Sequence, residues 1–132
     1  MIDTVRHWFR VRATIRREKK KEKLRSPHWS AFRDAWKKTH PDCQGCGSFE
    51  NIQVHHVIPF SKAPAEELSK SNVMSMCMGK NECHLRIAHA GAFAFYNPHV
   101  RAHCELLKHN PAARHTIEAT AKAGRLRDVI AK

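Results

Sequence analysis

Apolar positions in the first part of the chain have the spacing of a helix. Val5, Trp8, Phe9 and Ile15 recur at helical intervals, which predicts a helix from residue 3 to about residue 25. The apolar stripe ends at Ile15, and a dense run of charged residues follows it. Such a run is typical of a solvated helix face or of a disordered segment.

A second helix is predicted directly after the charged run. Ser26-Pro27 is a helix-start signal, with serine as the cap and proline in the first turn. Trp29, Phe32 and Trp36 then mark one face of this helix. We expect that aromatic face to be part of the core.

The middle of the chain predicts two strands. β-branched residues are frequent between residues 51 and 60, and Pro59 ends this run. Residues 72–77 predict a second short strand. The two strands would form a ribbon joined by a long polar loop.

Helices are predicted again in the last third of the chain. The pattern gives one helix over residues 82–90, one over residues 98–108 and one over residues 111–123. Gly124 is expected to stop the last of these, because glycine readily takes the left-handed conformation that ends many helices. A short final helix would follow it.

The net positive charge of the chain indicates a polyanionic partner. The 132-residue chain has a formal net charge of +12 with neutral histidines, and its pI is near 10.0. This balance favours binding to nucleic acid, less often to an acidic membrane surface, over a merely soluble basic protein. No apolar run approaches the ~20 residues that span a bilayer, and arginines interrupt any signal-peptide pattern at the N-terminus.

Four of the five cysteines form two pairs. Cys43 and Cys46 have zinc-knuckle spacing, and Cys77 and Cys83 are further apart. Four thiolates suit tetrahedral Zn²⁺, and structural zinc sites recur at such spacings, which disfavours four free cysteines or one accidental pair. A thioredoxin-like redox role for Cys43 and Cys46 fits less well because no βαβ pattern surrounds them. Cys104 is expected to be a small buried residue. Cysteines used as metal ligands predict a reducing, cytoplasmic setting.

Histidines lie inside the segment that the cysteines enclose. His55-His56 ends the first predicted strand, and His84 follows Cys83 directly. Adjacent residues on a regular strand point to opposite faces, so both members of the pair can serve one site only where the strand is twisted or bulged. His89 lies five residues after His84, where an α-helix would more naturally offer four.

Taken together, these residues resemble a known family. His55-His56-Val57-Ile58-Pro59, then Asn72, then Cys83-His84 resemble the HNH endonuclease family, and the two cysteine pairs resemble its zinc-binding variant. The resemblance covers roughly residues 29–97. It implies an α+β, mostly helical chain with a small ββα-metal (His-Me finger) core and a structural four-cysteine zinc site, flanked by N- and C-terminal helices.

The resemblance also implies a division of the chain and a role for each site residue. Residues 1–26 would be a basic helical arm, residues 27–97 the nuclease core with its zinc site, and residues 98–132 a C-terminal helical extension. The resemblance implies that His56 is the general base and that Asn72 braces the loop carrying the histidines. His55 and His84 would be ligands of a catalytic ion, and His89 would be a third ligand or a phosphate contact. The structural zinc ligands would be Cys43, Cys46, Cys77 and Cys83.

The function that follows is metal-dependent hydrolysis of DNA phosphodiester bonds. His56 would activate water, and one divalent ion (Mg²⁺, Mn²⁺, Ni²⁺ or Zn²⁺) would stabilise the scissile phosphate and the leaving 3′ oxygen. The alternatives are a non-catalytic, zinc-stapled nucleic-acid-binding module and a basic regulator whose histidines bind metal only to fold. The expected partner is DNA, held mostly through phosphates, with no membrane; a homodimer is compatible with double-strand cleavage. Candidate phosphate contacts are Arg12, Arg16, Arg17, Lys80, Arg86 and Arg101.

Overall fold

The protein is an α+β chain built around a two-stranded antiparallel sheet. A computed structural model describes residues 9, 10, 12 and 25–130, with the backbone alone for residues 128–130. Phe9, Arg10 and Arg12 are helical, whereas Arg16 and Arg17 lie outside the described residues. The predicted fold class is confirmed.

The sheet consists of β1 (Ile52–His56) and β2 (Val73–Cys77). The strands pair from Ile52 opposite Cys77 to His56 opposite Val73. Every residue of β2 is buried, and all of them except Ser75 are apolar. The long loop between the strands contains two short 3₁₀ turns, Pro64–Glu66 and Lys70–Asn72.

Helix α1 (Trp29–Thr39), which precedes the sheet in the chain, packs against β1. None of its residues is fully buried, so the expectation that its aromatic face joins the core is wrong. Trp36 instead donates from Nε1 to Ser75 Oγ at 3.1 Å, and its ring stacks on His40 at 3.7 Å between centroids. These half-buried aromatics cover the side of the sheet.

The C-terminal part is helical. A π-helical turn (His84–Ala88) occupies the place of the α-helix predicted over residues 82–90. Helix α2 (Val100–His109) follows, and a 3₁₀ turn at Pro111–Ala113 leads into helix α3 (Arg114–Ile130). Helix α3 continues through Gly124, so the predicted stop at that residue is wrong.

The core joins the sheet to the C-terminal helices. Its apolar members include Met74 and Met76 from β2, Ile87 from the π turn, Val100 and Leu107 from α2, and Ile117 from α3. Because these side chains pack together, the C-terminal helices hold the π turn against the sheet. No helix in the described part of the chain is long and apolar enough to cross a membrane.

Candidate metal centres and active site

The four paired cysteines meet at one point. Their sulfur atoms lie within 4.8 Å of one another, and the Sγ atoms of Cys46 and Cys77 are 3.6 Å apart. Tetrahedral zinc with sulfur at 2.3 Å requires sulfurs about 3.8 Å apart. Cys43, Cys77 and Cys83 are buried. The cluster therefore has the composition and spacing of a structural zinc site.

The thiols of this cluster have unequal pKa values. Burial raises the pKa of Cys77 to about 11, whereas a hydrogen bond from the Cys83 thiol lowers the pKa of Cys43 to about 4. Zinc requires all four sulfurs as thiolates, so its binding would displace the remaining protons. Arg114 Nη1 donates to Cys83 Sγ at 3.2 Å, which places a positive charge beside a cluster that would carry a net negative charge with four thiolates and zinc.

Three histidines form a second cluster. One ring nitrogen from each of His55, His84 and His89 lies within 4.8 Å of the others. His84 Nε2 is 3.2 Å from His55 Nδ1 and 3.2 Å from His89 Nε2. Burial lowers the pKa of His55 to about 2 and that of His84 to about 4, so these rings are neutral near pH 7.

The hydrogen bonds at the outer edges of two rings fix their tautomers. His89 Nδ1 must donate to the Phe95 carbonyl oxygen at 2.6 Å, and His84 Nδ1 donates to Gln53 Oε1 at 2.7 Å. The Nε2 atoms of both rings therefore carry lone pairs, and two lone pairs 3.2 Å apart cannot form a hydrogen bond. Metal-bound histidines are usually held in this way by an outer acceptor.

Backbone geometry explains why His89 joins the cluster. The His89 N–H donates to the His84 carbonyl at 3.0 Å, a five-residue step that is characteristic of a π turn. This turn aligns residues five apart, which an α-helix would not do. Glu82 and Ala90 flank it with φ angles of 48° and 52°, a left-handed conformation that non-glycine residues seldom adopt and that is concentrated at functional sites.

His56 has different neighbours from His55. Its Nε2 donates to the Glu67 carbonyl at 2.9 Å, so Nδ1 is unprotonated in the neutral ring. The Trp29 ring packs on it with centroids 4.6 Å apart, and burial lowers its pKa. The strand pairing is one to one through His56, so β1 contains no bulge. The two rings instead lie on different sides of the strand end.

Asn72 ties the loop after β1 to the start of β2. Its Oδ1 accepts from the Ile58 N–H at 2.9 Å, and its Nδ2 donates to the carbonyls of Ile58 at 3.1 Å and Glu66 at 3.3 Å. Glu66 is next to Glu67, whose carbonyl holds His56. The asparagine side chain therefore connects the two backbone segments that surround His56.

Replacement of Asn72 with alanine is expected to destabilise the fold by about 1–3 kcal/mol, because buried backbone groups at Ile58 and Glu66 lose their partner. The DNA cleavage that the resemblance implies should weaken as well, since the Glu67 carbonyl would no longer be held in place. Thermal unfolding and a cleavage assay measure the two effects. Asn110→Ala is the control, since the Asn110 side chain makes no cap hydrogen bond. Equal stability of the two variants would contradict the bracing role.

Sequence reasoning did not identify the partners that orient the histidines. Gln53 and Phe95 hold His84 and His89, and Glu67 holds His56. Two of these contacts use a backbone carbonyl, which any residue could supply, so they leave no signal in the sequence. Gln53 lies two residues before His55 on the predicted strand, and that same-face position was the one available clue.

The predicted phosphate contacts have varied surroundings. Arg86 is paired with Glu82 at 3.1 Å and with Glu118 at 3.8 Å, so its charge is partly neutralised. Arg101 donates to the Ser71 carbonyl and is close enough to His55 to lower the pKa of that ring slightly. Lys80 and Arg12 are exposed. Among the candidates that the structure describes, Arg101 is thus the one whose charge acts on the His55 ring.

Comparison with known proteins identifies the central segment. The sequence model of the HNH endonuclease family matches residues 43–89. This segment begins at the first cysteine of the four-cysteine cluster and ends at the third clustered histidine. No curated protein and no solved structure gives a significant match to the chain. Residues 43–89 are therefore an HNH domain, and the resemblance seen in the sequence is confirmed for this segment.

Proposed function

We propose that the chain is a metal-dependent endonuclease that hydrolyses DNA phosphodiester bonds. The observation that carries the proposal is the convergence of three imidazoles, two of which direct an Nε2 lone pair inward, beside a fourth histidine with an unprotonated Nδ1. This arrangement lies within an HNH domain, a family of nucleases. The net charge of +12 supports a polyanionic substrate.

His55, His84 and His89 would hold the catalytic ion. The outward hydrogen bonds to Gln53 and Phe95 orient two of these rings before the ion arrives. Nitrogen ligands suit Zn²⁺ or Ni²⁺, and Mn²⁺ is acceptable, whereas Mg²⁺ prefers oxygen. The bound ion would neutralise charge on the scissile phosphate and on the leaving 3′ oxygen.

His56 would act as the general base. The Glu67 carbonyl keeps its proton on Nε2, so Nδ1 can take a proton from the attacking water. The attacking and leaving oxygens of a phosphoryl transfer lie on opposite sides of phosphorus. In the proposed mechanism His56 would therefore face one side of the phosphorus atom, and the ion held by the three histidines would face the other.

The four-cysteine site would have a structural role. Closed four-cysteine zinc sites leave no open coordination position and contribute to folding. Cys77 ends β2, and Cys83 directly precedes the turn that carries His84. Zinc at this point would fix the distance between the sheet and the π turn, and thereby the positions of His55 and His84.

The test is incubation of supercoiled plasmid with the zinc-loaded chain and added Mg²⁺, Mn²⁺, Ni²⁺ or Zn²⁺. We expect nicked or linear DNA with at least one ion. His84→Ala should lose cleavage while it keeps DNA binding, and His28→Ala, a change at an exposed histidine, should cleave normally. DNA that is retarded in a gel but never cut with any ion would support the non-catalytic binding module instead.

A further inference from the structure

A basic cavity of about 170 Å³ lies between the start of α2 and the second half of α3. Its polar lining includes His99 and His103 from one side and Thr120, Arg125 and Arg127 from the other. None of its lining residues, all of which the structure describes, is acidic. The composition therefore favours an anion over a cation or an apolar ligand.

The two arginines are available for such a ligand. Arg125 and Arg127 form no ion pair with any acidic side chain that the structure describes, whereas Arg86 and Arg114 are both paired with Glu118. The Arg125 guanidinium lies 5.7 Å from the centre of the Phe95 ring, which holds it beside the cavity. Planar guanidinium groups suit phosphate oxygens well.

The hydrogen bonds of Asn97 determine what His103 offers. Asn97 Oδ1 accepts from the His99 N–H at 2.9 Å, and Nδ2 donates to the Ile87 carbonyl at 3.1 Å, so the orientation of the amide is fixed. Nδ2 must then also donate to His103 Nδ1 at 2.7 Å. His103 consequently carries its proton on Nε2 and adds a donor to the cavity lining.

Gly124 keeps one wall of this cavity open. A glycine inside a helix weakens it relative to alanine, and α3 nevertheless runs through this position. A Cβ atom at Gly124 would come no closer than 4.0 Å to its nearest neighbour, Arg127 Nη2. Steric exclusion of a methyl group therefore does not explain the glycine, whereas a larger side chain would occupy the cavity.

The cavity is joined to the histidine cluster through the backbone. Ala90 lines the cavity and directly follows His89. The Asn97 N–H donates to the Ala88 carbonyl at 2.8 Å, so the same asparagine that orients His103 is anchored to the π turn. The cavity and the histidine cluster therefore both include residues of the segment that contains the π turn and the residues directly after it.

We propose that this cavity binds a phosphate group of the DNA backbone, separate from the phosphate that is cleaved. That the substrate is DNA rests on the proposed function. That the ligand is a phosphate rests on the residues that line the cavity. Arg125 and Arg127 would contact the phosphate oxygens, with His103 Nε2 as a further donor. The site would position the strand along the C-terminal helices and contribute affinity rather than sequence selection.

The first test measures DNA affinity against salt concentration in the full chain carrying His56→Ala, so that the substrate stays intact. Adding Arg125→Gln and Arg127→Gln should reduce the slope of log affinity against log salt by about 0.9 for the lost phosphate contact. Lys37→Gln with Lys38→Gln removes the same charge from exposed positions on α1 and should leave that slope unchanged. Equal slopes in both double variants would overturn the proposal.

A second pair of variants tests whether DNA binding needs the open volume of the cavity as well as the charge of its two arginines. Gly124→Leu fills the cavity and keeps both arginines, and we expect it to weaken DNA binding to a similar extent. Gly124→Ala adds one methyl group with room around it, and it should bind DNA as the parent does. Normal binding by Gly124→Leu would contradict a phosphate inside the cavity.

Inorganic phosphate tests the cavity without DNA. We expect its addition to shift the amide NMR signals of Gly124 and Arg125, and the double arginine variant should lose this response. Phosphate binding together with an unchanged DNA salt slope would assign the cavity to a free phosphate compound and overturn the DNA assignment. Because neither measurement depends on cleavage, a failure of the nuclease proposal gives a different pattern from a failure here.

Discussion

Replacement of His56 with alanine is expected to slow DNA cleavage by about 10²- to 10⁴-fold, the usual contribution of a positioned general base. The reason is the orientation of this ring: the Glu67 carbonyl holds Nε2–H at 2.9 Å and leaves Nδ1 free to accept a proton. DNA affinity and metal content should stay at the parent level, since His56 is not part of either candidate metal cluster. Single-turnover cleavage of a labelled duplex measures the effect.

Two further variants make this result interpretable. His56→Gln fills more of the space beside Trp29 than alanine does and retains a donor for the Glu67 carbonyl, but it supplies no base, so it should be as slow as His56→Ala. His115→Ala removes an exposed histidine from α3 and should cleave at the parent rate. Cleavage by His56→Gln at a rate near that of the parent would show that the imidazole is not the base.

Loss of one zinc-site cysteine is expected to have the largest effect on stability. Structural zinc binding has apparent free energies of about 10–16 kcal/mol in small domains, as large as the whole net stability of a typical protein, about 5–15 kcal/mol. Cys77 is fully buried and ends β2. Cys77→Ala should therefore lose zinc and unfold at or below about 37 °C, which elemental analysis and circular dichroism would measure.

Cys104→Ala is the matched control for this experiment. Cys104 is also buried, but it lies on α2 and contacts Met76, with its sulfur 4.0 Å from the Met76 sulfur. Its removal should cost about 1 kcal/mol, the scale expected for one buried atom group, and zinc content should stay unchanged. If both variants retained zinc and melted at similar temperatures, the four-cysteine cluster would not be a structural zinc site.

The candidate metal ligands could be predicted from the sequence because of their side-chain chemistry. Few residue types bind metals through sulfur or imidazole, so the spacing of Cys43, Cys46, Cys77 and Cys83 was enough to predict the zinc site. The strand pair was readable for a similar reason, since β-branched residues between two turn signals have few alternatives. The roles assigned to the individual site residues, and the division of the chain at residues 27 and 97, stay predictions.

The backbone conformation around His84 and at Gly124 could not be predicted in the same way. The spacing of His84 and His89 conflicts with an α-helix, and only a π turn with left-handed residues at both ends resolves that conflict. Such turns depend on tertiary packing, here of Ile87 and Ala88 against the core, rather than on local propensity. Gly124 was misread for the same reason: α3, which packs on the core through Ile117 and Ala121, continues through a residue that commonly ends a helix.

The proposed activity depends on the binding of one ion by three histidines beside His56. Crystals of the protein grown with excess zinc, measured at the zinc absorption edge, test it most directly. We predict two anomalous peaks per chain: one among the four cysteine sulfurs, and one about 2.0–2.1 Å from a nitrogen of each of His55, His84 and His89, with Nε2 as the ligand atom of the last two. A peak at the cysteines alone would contradict the account.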